Sequence, residues 1–230
     1  MSILSRISKS SQFTWEKNLE ANGNWATYYG GKCESEEQYL KSGQEEWDLI
    51  KQFMPNLDCV FEYGAGDGRL SVAAAIDCNV LHCYEPVDVS RKLLIDRVAL
   101  SGKDNVNCFG GRILDATDSK IYTSIFCWNV MHHMDYDDVY EFMDFCERNA
   151  GEDCTVLTAY TDFCPEGRIH FLVDKVNAPC PFYIWTAEQI RTMFDCFGFR
   201  LNTTARRGWR VIDTFVRYKA KLTHEKESTV

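Results

Sequence analysis

The residues Glu62-Tyr63-Gly64-Ala65-Gly66-Asp67-Gly68 combine three alternating glycines with two acids, directly after the apolar run Cys59-Val60-Phe61. Glycine permits a tight turn and a close approach of backbone to a ligand at no steric cost. Seventeen residues past Gly68, Glu85 closes a second apolar run, Val80-Leu81-His82-Cys83-Tyr84, and is followed by Pro86. A carboxylate at that place in an α/β sheet can accept hydrogen bonds from both hydroxyls of a ribose. A third group lies after the apolar run Ser124–Trp128: Asn129, then His132, His133 and Asp135. A histidine side chain titrates near neutral pH and suits proton transfer, which makes these three residues the candidates for a general base. The competing reading has the histidines bonding backbone and packing under a sheet. The sequence holds no G-x-S-x-G nucleophile motif.

The elements that must position these groups follow from periodicity. Apolar runs at 59–63, 80–84, 106–109, 124–128 and 154–160 read as strands, and their continuity marks strands buried on both faces of a parallel sheet. Helical spacing places a helix over Val139, Phe142, Met143 and Cys146, and another over Ile190, Met193, Phe194 and Phe197. Ser42-Gly43-Gln44-Glu45 and Thr186-Ala187-Glu188-Gln189 both match the capping-box pattern at a helix start. Residues 199–205 and 211–219 read as a hairpin turning at Arg206-Arg207-Gly208. The expected architecture is α/β: a doubly wound, mostly parallel, seven-stranded Rossmann-like sheet with an antiparallel edge hairpin. Residues 1–45 are read as an N-terminal extension, 46–221 as the core domain with an insertion at about 161–185, and 222–230 as a frayed tail.

Two cofactor classes compete for the glycine turn. Dinucleotide enzymes use G-x-G-x-x-G, whose third glycine would fall at position 69, where this chain has Arg69. The E-x-G-x-G-x-G spacing instead resembles motif I of the class I S-adenosylmethionine-dependent methyltransferases. The segment Tyr122 through Met134, with its paired histidines, is similar to motif IV of that family. Trp185-Thr186-Ala187-Glu188-Gln189-Ile190 through Phe197-Gly198-Phe199-Arg200 resembles its late helix and "GF" turn, and Asp213-Thr214-Phe215-Val216 its closing hairpin. The resemblance spans about residues 58–220. It implies S-adenosylmethionine as cofactor, bound by Glu62, Gly64, Ala65, Gly66, Gly68, Glu85 and Pro86, with Asn129 touching cofactor or substrate. Where the family often places an acid or Asn to reach the adenine, this chain reads Gly110-Gly111-Arg112-Ile113. Arg112 and Ile113 then flank the ring, or Asp115 serves. The N-terminal extension, with Tyr28, is expected to fold over the cofactor as a lid or to pack on the core. The aromatic insertion around His170 builds the acceptor pocket, forms a homodimer contact or packs as loop core.

Composition bounds the partners. The 230-residue chain is 45% hydrophobic and 26% charged, which excludes a disordered chain, a collagen-like repeat and a coiled coil. A formal charge of −9 argues against a general nucleic-acid binder, which needs Lys and Arg to neutralise phosphates. The expected acceptor is a small molecule; a protein or RNA methyltransferase, a nicotinamide-dependent oxidoreductase and a non-catalytic methyltransferase-like binding protein are the alternatives. A cluster of Arg200, Arg206, Arg207, Arg210, Arg217, Lys219 and Lys221 around one acid is either a solvated hairpin or a receptor for an anionic acceptor. Eleven cysteines, with no C-x-x-C pair, read as reduced core residues rather than metal ligands, so no metal is expected. With no signal-peptide pattern and no apolar stretch of membrane-spanning length, the chain is expected to be cytoplasmic and to bind no membrane.

Overall fold

The computed structural model describes residues 33, 35–113, 121–161, 185–207 and 210–218. Tyr28, His170, Asp115, most of the 161–185 insertion and the 222–230 tail lie outside them. Along the chain run α1 (Glu36–Ile50), β1 (Cys59–Tyr63), α2 (Arg69–Ala74), β2 (Val80–Tyr84), α3 (Asp88–Ser101) and β3 (Val106–Phe109). They are followed by β4 (Tyr122–Trp128), α4 (Tyr136–Asn149), β5 (Ala150–Thr161), α5 (Ala187–Cys196), β6 (Phe199–Arg207) and β7 (Arg210–Arg217). The seven strands form one sheet in the order β3-β2-β1-β4-β5-β7-β6. β1 to β5 pair in parallel, and β7 runs antiparallel to both β5 and β6.

Strand alternation builds two cores, one on each face. Phe61, Ile125 and Val156 point to the face covered by α4 and α5, where they meet Phe142, Met143, Ile190 and Phe194. Their neighbours Val60, Phe126 and Leu157 point to the other face, against Trp47 and Ile50 of α1, Leu70 of α2 and Leu94 of α3. Two buried faces explain the continuous apolar runs in the sequence. The chain winds outward from β1 through β2 to β3, then returns to start β4 on the other side of β1. That reversal makes the β1/β4 junction the topological switch point, and sheets of this kind open their ligand crevice there, outside the carboxyl ends of the strands.

The helix starts divide. Thr186 caps α5 as the sequence indicated: its hydroxyl accepts from Gln189 N–H, and the Gln189 carboxamide accepts from Thr186 N–H. The box at Ser42–Glu45 is not a helix start. α1 begins seven residues earlier, about two turns, with the Ser35 hydroxyl accepting from Gln38 N–H at 3.2 Å. Ser35-Glu36-Glu37-Gln38 offers the same capping pattern, and starting there lets Tyr39 and Gly43 bury against the core in addition to Trp47 and Ile50. Ser42 is then mid-helix and its hydroxyl donates back to the Tyr39 carbonyl at 2.6 Å. α1 is therefore continuous across residue 45, where the sequence reading divides extension from core domain.

Candidate functional site

The glycine turn lies between β1 and α2. Gly64, Gly66 and Gly68 all have positive φ, at 75°, 60° and 87°. They differ in what surrounds them. A Cβ on Gly64 would lie 2.5 Å from the Val130 side chain, and one on Gly68 would lie 2.8 Å from Leu94. These two glycines let the turn pack against the end of β4 and against α3. Among the described residues a Cβ on Gly66 would meet nothing within 4 Å. Gly66 is thus the part of the turn that these residues leave open, and as a glycine it puts no side chain into that space.

Neighbouring backbone fixes the turn. Gly64 N–H and Ala65 N–H both donate to the Tyr84 carbonyl, at 2.8 and 3.0 Å. Asp67, 4% exposed, is gripped from two helices: Tyr39 of α1 donates its hydroxyl to one carboxylate oxygen at 2.9 Å, and Arg97 of α3 pairs with the other at 2.9 Å. Arg97 also donates to the Asp67 carbonyl. Neither Tyr39 nor Arg97 was singled out from sequence, because their partnership depends on helices meeting across the turn.

Glu85 ends β2 and is 6% exposed. One carboxylate oxygen accepts from Gly66 N–H at 2.7 Å and the other from Val87 N–H at 2.9 Å. The side chain is therefore aimed at the turn and held by both oxygens. Each ionised oxygen has two acceptor sites, so a site on each is left for a further donor. Burial pushes the carboxyl up to about 7, against the pull of the two backbone N–H groups and the Arg91 charge. Pro86 follows, half-buried, and Ala65 is 7% exposed in the turn itself.

Glu62 stands apart from this group. It is 3% exposed, and one carboxylate oxygen accepts from the Ser71 hydroxyl at 2.6 Å and from the Cys83 thiol at 3.5 Å. Its side chain braces α2 on β1 and β2, behind the turn. Of the two residues named for the base, Arg112 is exposed, and Ile113, 1% exposed, packs in the core on the α4 side.

At the carboxyl end of β4, Asn129 takes φ 60°, the single positive φ among described non-glycine residues. Such a conformation costs free energy and concentrates at functional sites. A 3-10 turn over Met131–His133 follows. The rings of His132 and His133 lie 4.0 Å apart. Burial, then the neighbouring His133 and Arg210, hold His132 well below the ordinary imidazole range, so it is neutral at neutral pH. Asp135 caps α4, one oxygen accepting from Asp138 N–H at 3.0 Å; its Oδ2 is buried with no hydrogen-bond partner among the described residues.

Lys219 and Lys221 of the basic cluster lie outside the described residues, and its described arginines do not form one patch. Arg200, Arg206 and Arg207 are exposed on β6. Arg217 reaches the Ala150 carbonyl at one end of β7, whereas Arg210 at the other end lies over the Trp128 ring, 4.8 Å from its centroid. Beside that pair, Glu46 of α1 accepts from Trp128 Nε1 at 2.9 Å and from Arg69 at 2.6 Å. The two arginines are the first and last residues of the eight-residue β7, which sets them roughly 23 Å apart. The second end of β7 joins the carboxyl-end crevice, so Arg210, Trp128, Glu46 and Arg69 belong to its rim.

Solved structures share this architecture. The chain superposes on magnesium protoporphyrin IX methyltransferase (ChlM) from Synechocystis PCC 6803 with bound SAH, at TM-score 0.66 and 16% identity, covering 91% of this chain and 100% of that one. The fold is that of the class I methyltransferases. The glycopeptide N-methyltransferase MtfA complexed with SAH matches at TM-score 0.64 and 14% identity, over 76% of this chain and 90% of that one. The DhpI–SAH complex matches at TM-score 0.62 and 14% identity, over 90% and 96%. No protein-family model and no curated protein sequence matches the chain.

Proposed function

We propose that this chain is an S-adenosylmethionine-dependent methyltransferase that transfers a methyl group to a small-molecule acceptor by in-line displacement. The observation that carries the reading is the Glu85 carboxylate, tied to the N–H of Gly66 beside the open face of the turn. A group with a ribose diol fits there: each carboxylate oxygen retains an acceptor site, and Gly66 carries no side chain to obstruct approach. In this reading Gly64, Ala65, Gly66, Gly68, Glu85 and Pro86 hold the cofactor, and Asn129 borders it. S-adenosylmethionine, when bound, supplies a methyl carbon already activated by the positive sulfur.

The protein's own tasks are then positioning, exclusion of water and, for a protonated acceptor, removal of a proton. His132, His133 and Asp135 are the base candidates; burial keeps the His132 imidazole uncharged but also disfavours its protonated form, which weakens it as a base relative to a solvated histidine. The superposed structures whose names identify their reactions include a porphyrin and a glycopeptide methyltransferase, and the net charge of −9 disfavours a nucleic-acid acceptor. Among the described residues no helix is long and apolar enough to cross a membrane.

Isothermal titration with S-adenosylhomocysteine tests the reading. Wild type is expected to bind with measurable heat, and Glu85→Ala to bind at least tenfold more weakly. Absence of heat from folded wild type, or equal affinity in the variant, overturns it. Incubating cell extract with radiolabelled methyl donor and sizing the product then distinguishes a metabolite from a protein or RNA acceptor.

A further inference from the structure

Arg91 lies in the first turn of α3, six residues past Glu85, and its guanidinium folds back onto the turn that Glu85 begins. Nη1 donates to the Glu85 carbonyl at 2.9 Å and to the Pro86 carbonyl at 3.4 Å, and Nη2 pairs with the Asp88 carboxylate. The opposite wall is Gly110, just past β3. A Cβ on Gly110 would lie 2.0 Å from Arg91 Nη1 and 2.2 Å from its Cζ. Gly110 is not in the positive-φ region, so its backbone does not require glycine. The missing side chain serves space: the guanidinium occupies the volume that any other residue at 110 would fill. The same short segment carries the Glu85 carboxylate, and the Glu85 N–H is anchored to the Phe109 carbonyl at 3.1 Å.

We propose that Arg91, seated by Gly110, is the positioning residue that sets the Glu85 turn for a ribose diol. The inference rests on the cofactor reading above and adds to it a residue on which no glycine motif or strand pattern bears. Arg91 is a fork with two fixed prongs: Nη1 serves both main-chain carbonyls of Glu85-Pro86 while Nη2 is pinned by Asp88, and a planar guanidinium holds the two prongs at once where a point-charge ammonium does not. It also lends its charge to the buried carboxylate. Among the described residues the ionisable groups acting with Glu85 include Arg91 of α3, Glu62 of β1 and Tyr84 of β2, and Asp67 and Asp88 lie on the adjoining turn and helix start. Asp67 is paired with Arg97, and Asp88 with Arg91 itself. Burial raises the Glu85 carboxyl; the Val87 and Gly66 N–H groups draw it down, and the Arg91 charge, next after them, does the same against the Glu62 charge.

The test combines two readouts on the full chain. The midpoint of the Glu85 carboxyl titration is followed by carbon NMR in ligand-free protein, its signal identified by loss in Glu85→Gln. Affinity for S-adenosylhomocysteine is measured by calorimetry at fixed pH. Arg91→Gln is expected to raise the Glu85 midpoint and weaken binding on the order of tenfold. Gly110→Ala, which leaves Arg91 in the chain but takes its seat, is expected to do the same. Arg91→Lys is expected to keep the midpoint near wild type while losing affinity, since it restores charge without the fork. Unchanged midpoint and affinity in Arg91→Gln and Gly110→Ala overturn the proposal. Should either variant fail to fold by circular dichroism, Arg91→Lys decides: lost affinity supports the proposal and wild-type affinity overturns it. If wild type binds no S-adenosylhomocysteine, the cofactor reading falls, while the Glu85 midpoint in the variants still decides whether Arg91 governs that carboxylate.

Discussion

Glu62 and Glu85 are buried carboxylates on adjacent strands, and burial pushes both up to about 7. Their partners give them different work. Glu62 accepts from side chains of α2 and β2 and faces the interior; Glu85 accepts from two backbone N–H groups at the rim of the crevice. For Glu62 the consequence is stability. Its folded pKa lies above its unfolded value of 4.5, so the folded state binds the extra proton, and the cost of holding the charge grows as pH rises from about 4.5 to 7. Glu62→Gln removes that cost and keeps an acceptor for Ser71. The variant is expected to exceed wild type in denaturant-measured stability at pH 8 by up to about 3 kcal/mol, with the difference vanishing near pH 4.5. A constant difference across pH would show that the charge is not the cause. For Glu85 the consequence is binding. Ribose hydroxyls donate to the ionised form, so affinity for S-adenosylhomocysteine should fall roughly tenfold between pH 8 and pH 6 as the carboxyl takes up a proton. Glu85→Gln is expected to bind weakly with a flat pH profile, and Glu62→Gln to retain the wild-type slope.

Elements were legible where one local rule determined them. The runs at Cys59–Tyr63 and Val80–Tyr84 are strands because every residue in them has a buried face to fill, and the Thr186 box starts α5 because its four residues satisfy each other. Where two local rules competed, the tertiary core decided. Ser35-x-x-Gln38 and Ser42-x-x-Glu45 offer equal caps, and the earlier one prevails because it brings Tyr39 to Asp67 and Gly43 against Arg69. β4 and β5 both begin earlier than their apolar runs, at Tyr122 and Ala150, because those two residues pair beyond an irregularity in the ladder. The part of the site made by chain crossings left no pattern to read: Arg91 against Gly110, Arg97 against Asp67, Trp128 against Arg210. Ser35→Ala and Thr186→Ala are each expected to cost about 1 kcal/mol in chemical denaturation. Thr186→Ala should leave S-adenosylhomocysteine affinity unchanged, because its cap bonds go only to Gln189. A neutral Ser35→Ala would show that α1 draws nothing from its cap.

Across the molecule, α1 is the element that ties the sheet's core to the crevice. Its Trp47 and Ile50 are fully buried on the sheet, and Trp47 donates its indole N–H to Asp77 at 2.7 Å. On the same helix Tyr39 holds the glycine turn through Asp67, and Glu46 joins Arg69 of α2 to Trp128 at the end of β4. A chain begun at residue 46, the division that residue patterning favours, keeps Trp47 but discards the capped first ten residues of the helix, roughly three turns, that order it. The remaining five residues of α1 are too few to hold a helix by themselves, since nucleation must be met before packing is gained. Losing the burial of one large aromatic costs about 3–5 kcal/mol, a large share of the stability of an ordinary domain. The protein beginning at 46 is therefore expected to lose its cooperative thermal transition and its affinity for S-adenosylhomocysteine together. Point variants separate the two duties of the helix. Trp47→Ala should lower the melting temperature sharply, while Tyr39→Phe, which leaves the ring in place and removes the hydroxyl bond to Asp67, should cost roughly 1 kcal/mol and weaken binding through the turn. A chain from 46 that melts cooperatively and binds as wild type would show that the sheet closes its crevice without α1.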